Sequence, residues 1–459
     1  MKSLAPLLLL VLVVAGGVGY WWNREAAPEQ DQAQAVAEEE GVTRSQLDHT
    51  NTDPAEEPVL DPLALQATVA DGNRLRALEI HGEGLTALKE GSVVEAVSLL
   101  EEALRLSPGD PIMTLNLSRS LVRLAIDTTG NGQHQEALDL LTRAIALDSD
   151  EGYPASWVAR VHLRQGDRVG ARSVLQEALA AFPEVPTLLR LSADLAALEG
   201  DLKLAVTQIQ EAARLRPEDE ALAVRKEQLE AEEELYRTFL TDATAHFESR
   251  YDPADADMVQ WIPDLQADLE EAWTEVVATL GIQPQQRILV MWLDPERYRW
   301  RAPDWSSGLY DGRVRIVIED YPTEREAIRR TLRHELTHAV LHTGGTRIPT
   351  WLHEGMAQLT EGRPVELAAD ALEARLPLRL QPAELDGDWT GWADVDKVAQ
   401  AYFYSMLLCD WLREEYGENA LPNLFQNLRG TTWESGWSRT FGASFQEVEA
   451  RFRAGWQRS

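Results

Sequence analysis

The chain has 459 residues, 44% of them apolar, 15 tryptophans and a formal net charge of −33. This length exceeds one ordinary hydrophobic core, so two or three domains are expected. The negative charge argues against nucleic acid as a partner, because phosphate binding needs a basic face. The single cysteine, Cys409, excludes an internal disulfide framework and a zinc site built from several thiolates.

The N-terminus carries an apolar segment of membrane-spanning length. Lys2 precedes an uncharged run from Ser3 to Asn23, which has two tryptophans near its far end. About 20 apolar residues span a bilayer, and tryptophans are common at its interface. We interpret residues 1–23 as an uncleaved anchor, with the N-terminus in the cytoplasm and the rest of the chain extracytoplasmic. A cleaved signal peptide is the alternative, and it would make the protein secreted.

Residues 24–70 are predicted to form an acidic, flexible linker. Between Arg24 and Pro62 there are eleven acidic and two basic residues, with almost no clustered aliphatic side chains. Such a composition buries too little apolar surface to offset the entropy cost of ordering the chain. We therefore expect a tether between the N-terminal segment and the folded domains.

A repeat of small residues begins near Leu75. Most copies are 34 residues apart, and the step between the first two is 41 residues. The matched positions are Gly91, Gly132, Gly166 and Gly200, then Ala96, Ala137, Ala171 and Ala205, then Ala103, Ala144, Ala178 and Ala212. The extra seven residues fall near Asp127–Gln133, which is expected to be the turn between two helices.

This pattern resembles the tetratricopeptide repeat, whose unit is a pair of helices. The resemblance covers about residues 75–217 and implies an all-α solenoid with a concave surface that docks a protein or peptide. A rigid spacer is the alternative. The charged stretch from Glu218 to about Phe247 is expected to continue as a helix that caps the solenoid, which gives a repeat domain over residues 71–240.

The pattern changes after Tyr251, where strand-like runs alternate with helical ones. Thr323, with Glu326 three residues later, predicts the start of a helix, and two glycines predict its end. The predicted elements are a helix over about Pro263–Leu280, strands within Arg287–Leu293 and Gly312–Glu319, and a helix from Thr323 to Gly344.

The sequence HELTH lies inside this last helix. Residues four apart share a helix face, so His334 and His338 can bind one metal ion, with Glu335 placed to act on a water molecule. Catalytic zinc usually has three protein ligands, so a third is needed. His342 is one more turn along, where a straight helix cannot bring it to the same ion. We therefore assign His342 to packing or to the rim of the site.

The sequence PTWLHEGMAQ can form a second helix that returns Glu354 to the metal. HELTH followed by this stretch resembles the gluzincin metallopeptidases, most of all the peptidase MA-like family. The resemblance implies that Zn²⁺ is held by His334, His338 and Glu354 and that Glu335 is the general base. His353 is a rival to Glu354 as the third ligand.

The stretch AQAYFYSMLLCDWLREEYG resembles the helix that follows the zinc site in the same family. Tyr402 matches a position whose hydroxyl would stabilise the oxyanion of a tetrahedral intermediate. Tyr404 is a competing candidate for this role. Gln358 stands where relatives often carry an acidic residue, which leaves open what supports the ligand histidines.

The resemblance covers about Thr241 to the C-terminus and implies an α+β zincin-like metallopeptidase domain over residues 241–459, after the all-α solenoid. It further implies a zinc-dependent endopeptidase, with an extended substrate lying along a strand within Ser307–Ile318. The repeats would dock the substrate or a partner protein. A catalytically inactive scaffold is the main alternative. An exopeptidase is disfavoured, because no recognisable acidic element for a substrate amine precedes HELTH.

Overall fold

The computed structural model describes residues 72–130, 133–147, 152–299, 307–343, 348–375, 380, 385 and 395–456. These residues form two compact units. The first unit comprises the described residues up to Leu195 together with Thr207–Leu222. The second unit comprises Ala196–Val206 together with the described residues from Ala223 onward. The predicted anchor and linker, residues 1–23 and 24–70, lie outside the described residues. None of the helices that the structure describes has the length and apolar character needed to cross a bilayer.

The repeat region is helical throughout its described part, which confirms the predicted all-α solenoid. Its helices are α1 (Gly72–Lys89), α2 (Val93–Leu106), α3 (Pro111–Gly130), α4 (His134–Leu147), α5 (Tyr153–Arg164), α6 (Arg168–Ala181), α7 (Pro186–Leu198), α8 (Leu202–Leu215) and α9 (Glu220–Tyr236). The pairs α1–α2, α3–α4 and α5–α6 each pack together.

The recurring small residues explain how these pairs form. Ala96 and Ala103 on α2, and Ala137 and Ala144 on α4, are completely buried. A methyl group at these positions lets neighbouring backbones approach closely, and a larger side chain would find no space in the packed interior. The repeating glycine has a different function. Gly166 has φ +72°, a left-handed conformation at a turn between helices that only glycine adopts at little cost.

The seven extra residues of the second repeat lengthen a helix. The helix α3 runs for 20 residues, through Gly130, where the sequence predicted a longer turn. Its last turns are helical because Thr128 and Thr129 keep their hydroxyl groups satisfied by donating to the carbonyls four residues earlier. Seven residues make about two helical turns, so the insertion leaves the facing direction of the helix nearly unchanged.

The C-terminal domain has a five-stranded mixed sheet covered by helices, which confirms the α+β expectation. Its elements are β1 (Leu240–Ala243), β2 (Phe247–Tyr251), α10 (Ala256–Leu280), β3 (Ile288–Leu293), α11 (Pro295–Arg299), β4 (Gly308–Tyr310), β5 (Val314–Val317), α12 (Tyr321–Thr343), α13 (Thr350–Glu361), α14 (Val365–Arg375), α15 (Val395–Tyr416), α16 (Ala420–Asn427), α17 (Trp433–Phe441) and α18 (Phe445–Trp456).

The strand order is β1-β2-β3-β5-β4, so β4 is an edge strand of the sheet as the structure describes it. The pairs β2–β3 and β3–β5 are parallel, whereas β1–β2 and β4–β5 are antiparallel. Every residue of β3 is buried, as expected for a central parallel strand with both faces covered. The helix α12 packs against β4 and β5 and also against α10 and α13.

Three predicted boundaries are wrong. The capping helix ends at Tyr236 and not near Phe247, because Leu240–Ala243 pair with β2 and satisfy their backbone groups in the sheet. The helix α10 begins at Ala256, before the predicted start at Pro263. The Asp255 side chain caps it by accepting from the Met258 N–H at 2.9 Å, and the helix continues through the proline.

The third wrong boundary is the start of the active-site helix. The helix α12 begins at Tyr321, and the Asp320 carboxylate accepts hydrogen bonds from both the backbone and the hydroxyl of Thr323. The predicted cap, Thr323, is therefore already inside the first turn. The Tyr321 hydroxyl donates to the buried carboxylate of Asp268 at 2.8 Å, which fixes the helix start through a contact 53 residues away in sequence.

The polar face of β5 is buried in an ionic cluster. The Arg315 side chain is 1% exposed; it lies 2.8 Å from the Glu232 carboxylate and 3.1 Å from that of Asp311. Arg313 also contacts Glu232, at 2.6 Å, and Arg315 donates to the Tyr236 hydroxyl. Burial alone would lower the pKa of Arg315, but the two carboxylates and the tyrosine raise it well above its ordinary value. We call Glu232, Tyr236, Asp311, Arg313 and Arg315 the arginine cluster.

Candidate metal centre

Two histidines of α12 and one glutamate of α13 converge in the interior of the C-terminal domain. The Nε2 atoms of His334 and His338 lie 3.8 and 3.7 Å from Oε2 of Glu354. The possible ligand atoms of the three residues all lie within 4.8 Å of one another. Among the described residues, these three make the one group of histidine, cysteine and acidic side chains with this geometry.

The helix α13 is held at the site by close packing on two sides. Trp351 and Leu352 are completely buried at the start of α13, which begins after Pro349. On the opposite side, a Cβ at Gly355 would lie 2.4 Å from the carbonyl oxygen of Ser405. Glycine at position 355 therefore lets α13 lie directly against α15, next to the residue that supplies the carboxylate.

The side-chain atoms at this site match the requirements of a zinc ion. Nε2 of His334, Nε2 of His338 and Oε2 of Glu335 are buried without a hydrogen-bond partner among the described residues. Buried polar atoms are almost always satisfied, so three such atoms in one place indicate a site that can bind a ligand. Imidazole nitrogen and carboxylate oxygen are zinc ligands, and a tetrahedral ion holds its ligand atoms about 3.3 Å apart. The residues present fit zinc with only a small inward movement.

The negative charge of the carboxylates at the site also favours a bound cation. Three carboxylates, those of Glu335, Glu354 and Glu361, surround the two histidines. Burial, with the charges of Glu354, Glu361 and Asp311, raises the pKa of Glu335 to about 8. Burial alone would lower the pKa of His334, but its hydrogen bond to Glu361 and the nearby carboxylates raise it to about 9. Burial and the charge of His334 lower the pKa of His338, so this histidine favours the neutral form that a metal binds.

Glu361 is a site residue that the sequence analysis missed. Its Oε2 lies 3.2 Å from Nδ1 of His334, on the opposite side of the ring from the metal-facing Nε2. Arg363 donates to the same carboxylate at 2.9 Å, and Arg333 donates to the backbone carbonyl of Glu361. Burial alone would raise the pKa of Glu361, but His334 and Arg363 lower it to about 2. An ionised carboxylate on Nδ1 fixes the tautomer that presents Nε2 to a metal.

Gln358 has another function. Its side-chain amide donates to the backbone carbonyl of Glu354 at 3.2 Å and to that of Tyr402 at 2.9 Å, so it joins α13 to α15. The carboxylate that supports His334 therefore comes from position 361 and not from position 358. The signal in the sequence was the spacing of seven residues, because residues 354 and 361 lie two turns apart on one helix face.

An edge strand approaches the general-base candidate closely. A Cβ at Gly308 of β4 would lie 2.8 Å from Oε1 of Glu335 and 2.5 Å from a methyl carbon of Thr331. The Ser307 hydroxyl lies 3.0 Å from that of Thr331. The absence of a side chain at position 308 thus brings the backbone of β4 against the helix that carries the histidines.

The remaining candidates lie around this centre. The His342 ring packs on Tyr310 at 5.7 Å, and the His353 ring lies 5.8 Å from that of His338. Neither belongs to the group of residues with metal-ligand geometry. The Tyr404 hydroxyl on α15 donates a hydrogen bond to the Glu449 carboxylate on α18, so this hydroxyl is engaged in a contact between the two helices. Tyr402 is buried on the part of α15 that packs against α13.

Comparison with known proteins agrees with this architecture. A family model described as the Peptidase MA superfamily matches residues 300–457. Two tetratricopeptide repeat models match residues 81–154 and 129–195. No curated protein matches the chain. The chain therefore carries tetratricopeptide repeats followed by a C-terminal domain of the Peptidase MA superfamily.

Proposed function

We propose that the protein is a zinc-dependent peptidase that cleaves internal peptide bonds. The observation that carries this proposal is the buried group of His334, His338 and Glu354, with Glu335 beside it, in a domain of the Peptidase MA superfamily. His334, His338 and Glu354 would hold the ion. Bound zinc would supply Lewis acidity for the scissile carbonyl and for the attacking water.

Glu335 is the general base in this proposal. Its unpartnered, buried Oε2 is available to take a proton from the attacking water and to pass it to the leaving amine. Glu361 holds His334 in the tautomer that the metal needs. The strand β4, at the edge of the sheet as the structure describes it, is the strand on which an extended substrate would pair as a further strand. Because Gly308 contacts Glu335, a peptide on β4 would lie close to the general base.

Tyr402 is proposed to stabilise the oxyanion of the tetrahedral intermediate. Support comes from its place on α15, against the helix of Glu354, and from the engagement of the competing Tyr404 with Glu449. We expect Tyr402→Phe to lower kcat by about 100-fold with zinc content unchanged, the loss typical of one oxyanion donor. Tyr404→Phe is the matched control, and it should lower thermal stability without this loss of kcat. The opposite pattern would assign the oxyanion role to Tyr404.

The repeats are proposed to dock a protein substrate or a partner protein, as helical solenoids commonly do through their concave surface. The apolar N-terminal segment leads us to propose a membrane-anchored protein whose domains are extracytoplasmic. Deletion of residues 2–23 should then move the protein from the membrane fraction to the soluble fraction. Retention of the truncated protein on membranes would contradict an anchor in this segment.

Zinc content and hydrolysis test the peptidase proposal together. Elemental analysis of the full-length protein should give about one zinc per chain, and Glu354→Ala should lose most of it. Glu335→Ala should keep its zinc and lose the hydrolysis of labelled casein and of a mixed peptide library by at least about 100-fold. A folded protein that binds no zinc when it is supplied would overturn the proposal. Zinc binding without hydrolysis of either probe would favour the inactive scaffold.

A further inference from the structure

The turn between β4 and β5 is buried, although turns between strands usually lie at the surface. It consists of Asp311, Gly312 and Arg313, and all three residues are buried. We call these residues the hairpin turn. Two segments that precede the sheet in sequence belong to the same compact unit as this turn, and they are Ala196–Val206 and the part of α9 from Ala223 onward.

Leu198 packs directly on the backbone of the hairpin turn. Gly312 has φ +91°, and a Cβ at this position would lie 2.3 Å from Cδ2 of Leu198. The leucine methyl group therefore fills the space that any other residue at position 312 would need for its side chain. Leu198 is 6% exposed, so an apolar side chain from the end of α7 is buried against this turn.

The segment that carries Leu198 is also attached to another strand of the sheet. The Arg250 guanidinium of β2 donates to the backbone carbonyl of Gly200. The approach is close, because a Cβ at Gly200 would lie 2.6 Å from the guanidinium carbon of Arg250. The end of α7 and the turn after it are therefore held by contacts with β2 and with the hairpin turn.

The arginine cluster holds the charged side chains of the hairpin. The Glu232 carboxylate of α9 lies 2.6 Å from Arg313 of the hairpin turn and 2.8 Å from Arg315 of β5. In the antiparallel pairing of β4 with β5, Arg315 lies opposite Leu309, the middle residue of β4. Glu232 therefore fixes the strand residue that pairs with the centre of β4.

These contacts fix the strand that lies beside the general-base candidate. The strand β4 has three residues, and Gly308 at its start lies against Glu335. Gly312 is four residues further along the chain, which is about 13 Å of extended backbone. Because so short a strand has few contacts of its own, a shift of the hairpin turn would move the backbone beside Glu335.

We propose that Leu198 and Glu232 are positioning residues, which hold β4 where a peptide paired with it meets the general base. This inference rests on the proposed peptidase function. A substrate that pairs with β4 follows any displacement of that strand, and a misplacement of about 1 Å can cost about 100-fold in rate. The working peptidase unit would then include residues of the last repeat and of α9, which precede the predicted domain start at residue 241.

Hydrogen–deuterium exchange of the full-length protein tests whether Leu198 holds β4. Leu198→Ala removes the contact with Gly312, so amide exchange within residues 308–317 should rise at least about fivefold. Leu198→Met keeps most of the side-chain volume and should restore the parent rate. Glu232→Gln should give a rise in the same residues. Leu198→Val, a smaller change, provides the same test if circular dichroism shows that the alanine variant is unfolded.

Leu188→Ala is the matched control for this experiment. Leu188 is a completely buried leucine of the same helix, and its Cδ1 would lie 3.0 Å from a Cβ at Gly152, in the repeat region. The control should lower the thermal stability of the protein and leave exchange within residues 308–317 at the parent level. Equal exchange within residues 308–317 in Leu188→Ala and Leu198→Ala would overturn the proposal.

Substrate kinetics separate positioning from a general loss of stability. A library peptide that the parent protein cleaves is compared with analogues that are N-methylated at single positions. Where the methylated amide would pair with β4, kcat/KM should fall about fivefold in the parent, because one backbone hydrogen bond is lost. In Leu198→Ala, kcat/KM for the unmodified peptide should fall at least about tenfold, and the N-methylation effect should shrink below about twofold. An N-methylation effect as large as in the parent would overturn the inference.

Failure of the peptidase function and failure of this inference give different results. A parent protein that binds zinc and cleaves no probe would overturn the peptidase function, and exchange within residues 308–317 would still decide whether Leu198 holds β4. A parent that cleaves peptides, with unchanged exchange and unchanged N-methylation effect in Leu198→Ala, would overturn the positioning role alone.

Discussion

Two groups of charged residues are buried in the compact unit that continues from Ala223, and they differ in how their charges are balanced. The arginine cluster holds two arginines against two carboxylates, Glu232 and Asp311, at distances of 2.6–3.1 Å for its three closest pairs. The metal centre holds three carboxylates and two histidines, and the one arginine that contacts these carboxylates, among the described residues, is Arg363 on Glu361.

This difference separates a structural group from a binding site. A buried ion pair is tolerated when each charge has an opposite charge beside it. In the candidate metal centre, Nε2 of His334, Nε2 of His338 and Oε2 of Glu335 lack hydrogen-bond partners among the described residues. Burial and the neighbouring carboxylates raise the pKa of Glu335, and the hydrogen bond to Glu361 with the nearby carboxylates raises the pKa of His334 against the effect of its burial. Burial of charge therefore does not identify a functional site by itself. A functional site is indicated when buried charges of one sign are in excess and buried polar atoms lack hydrogen-bond partners among the described residues.

The largest effect is expected in the arginine cluster. Arg315→Met removes one of the two arginines that contact Glu232 and Asp311, and removing one partner of a buried pair typically costs about 3–5 kcal/mol. Urea unfolding should show a free energy of unfolding reduced by that amount. Arg105→Met is the control, because this side chain is 73% exposed and its ion pair is weak. A loss below about 1 kcal/mol for Arg315→Met would mean that the cluster is not a structural unit.

Removing the support of a ligand histidine should weaken zinc binding by about 10–100-fold. We expect this loss for Glu361→Gln, measured by competition with a chromophoric chelator, with a smaller loss for Glu361→Asp. Gln358→Ala is the matched control in the same helix, and its zinc affinity should change by no more than about threefold. If Gln358→Ala caused the larger loss, the assignment of the supporting residue to position 361 would be wrong.

The metal-free protein should respond differently at the two groups. Glu354→Gln removes one of three neighbouring carboxylates, so the free energy of unfolding without metal should change by less than about 1 kcal/mol. The stabilisation that added zinc gives the parent protein should be lost. Thermal unfolding with zinc and with EDTA measures both quantities. A metal-free loss as large as that of Arg315→Met would show that Glu354 acts mainly in an internal ion pair.

A further prediction concerns a carboxylate that is compensated, like those of the arginine cluster. Burial alone would raise the pKa of Asp268, but hydrogen bonds from Arg325 and Tyr321 lower it below its ordinary value. The stabilisation is therefore complete above the unfolded-state pKa of about 3.9 and is lost as the pH falls through the folded-state pKa. Asp268→Asn should cost about 1–3 kcal/mol at pH 7 and progressively less below pH 4. A difference independent of pH would rule out this ion pair as the cause.

Local sequence patterns predicted the helix pairs and the shared helix faces because both depend on the spacing of residues that are close together in the chain. The repeat of small residues predicted stacked helix pairs, and the alanines at those positions are buried. The spacing of His334 and His338 predicted a shared helix face. The predicted boundaries near Phe247, Pro263 and Thr323 were wrong because contacts distant in sequence, or a cap outside the recognised pattern, fix where those elements begin and end.

The sequence by itself determined the order of the two folds and the shared helix face of His334 and His338, since both follow from periodicity and spacing along the chain. Only the tertiary structure decided which carboxylate supports His334 and that the Tyr404 hydroxyl donates to Glu449. It also decided that Arg313 and Arg315 are buried against the Glu232 carboxylate. These outcomes depend on which elements pack together. A contact between residues 27 or 83 positions apart leaves no periodic pattern in the chain.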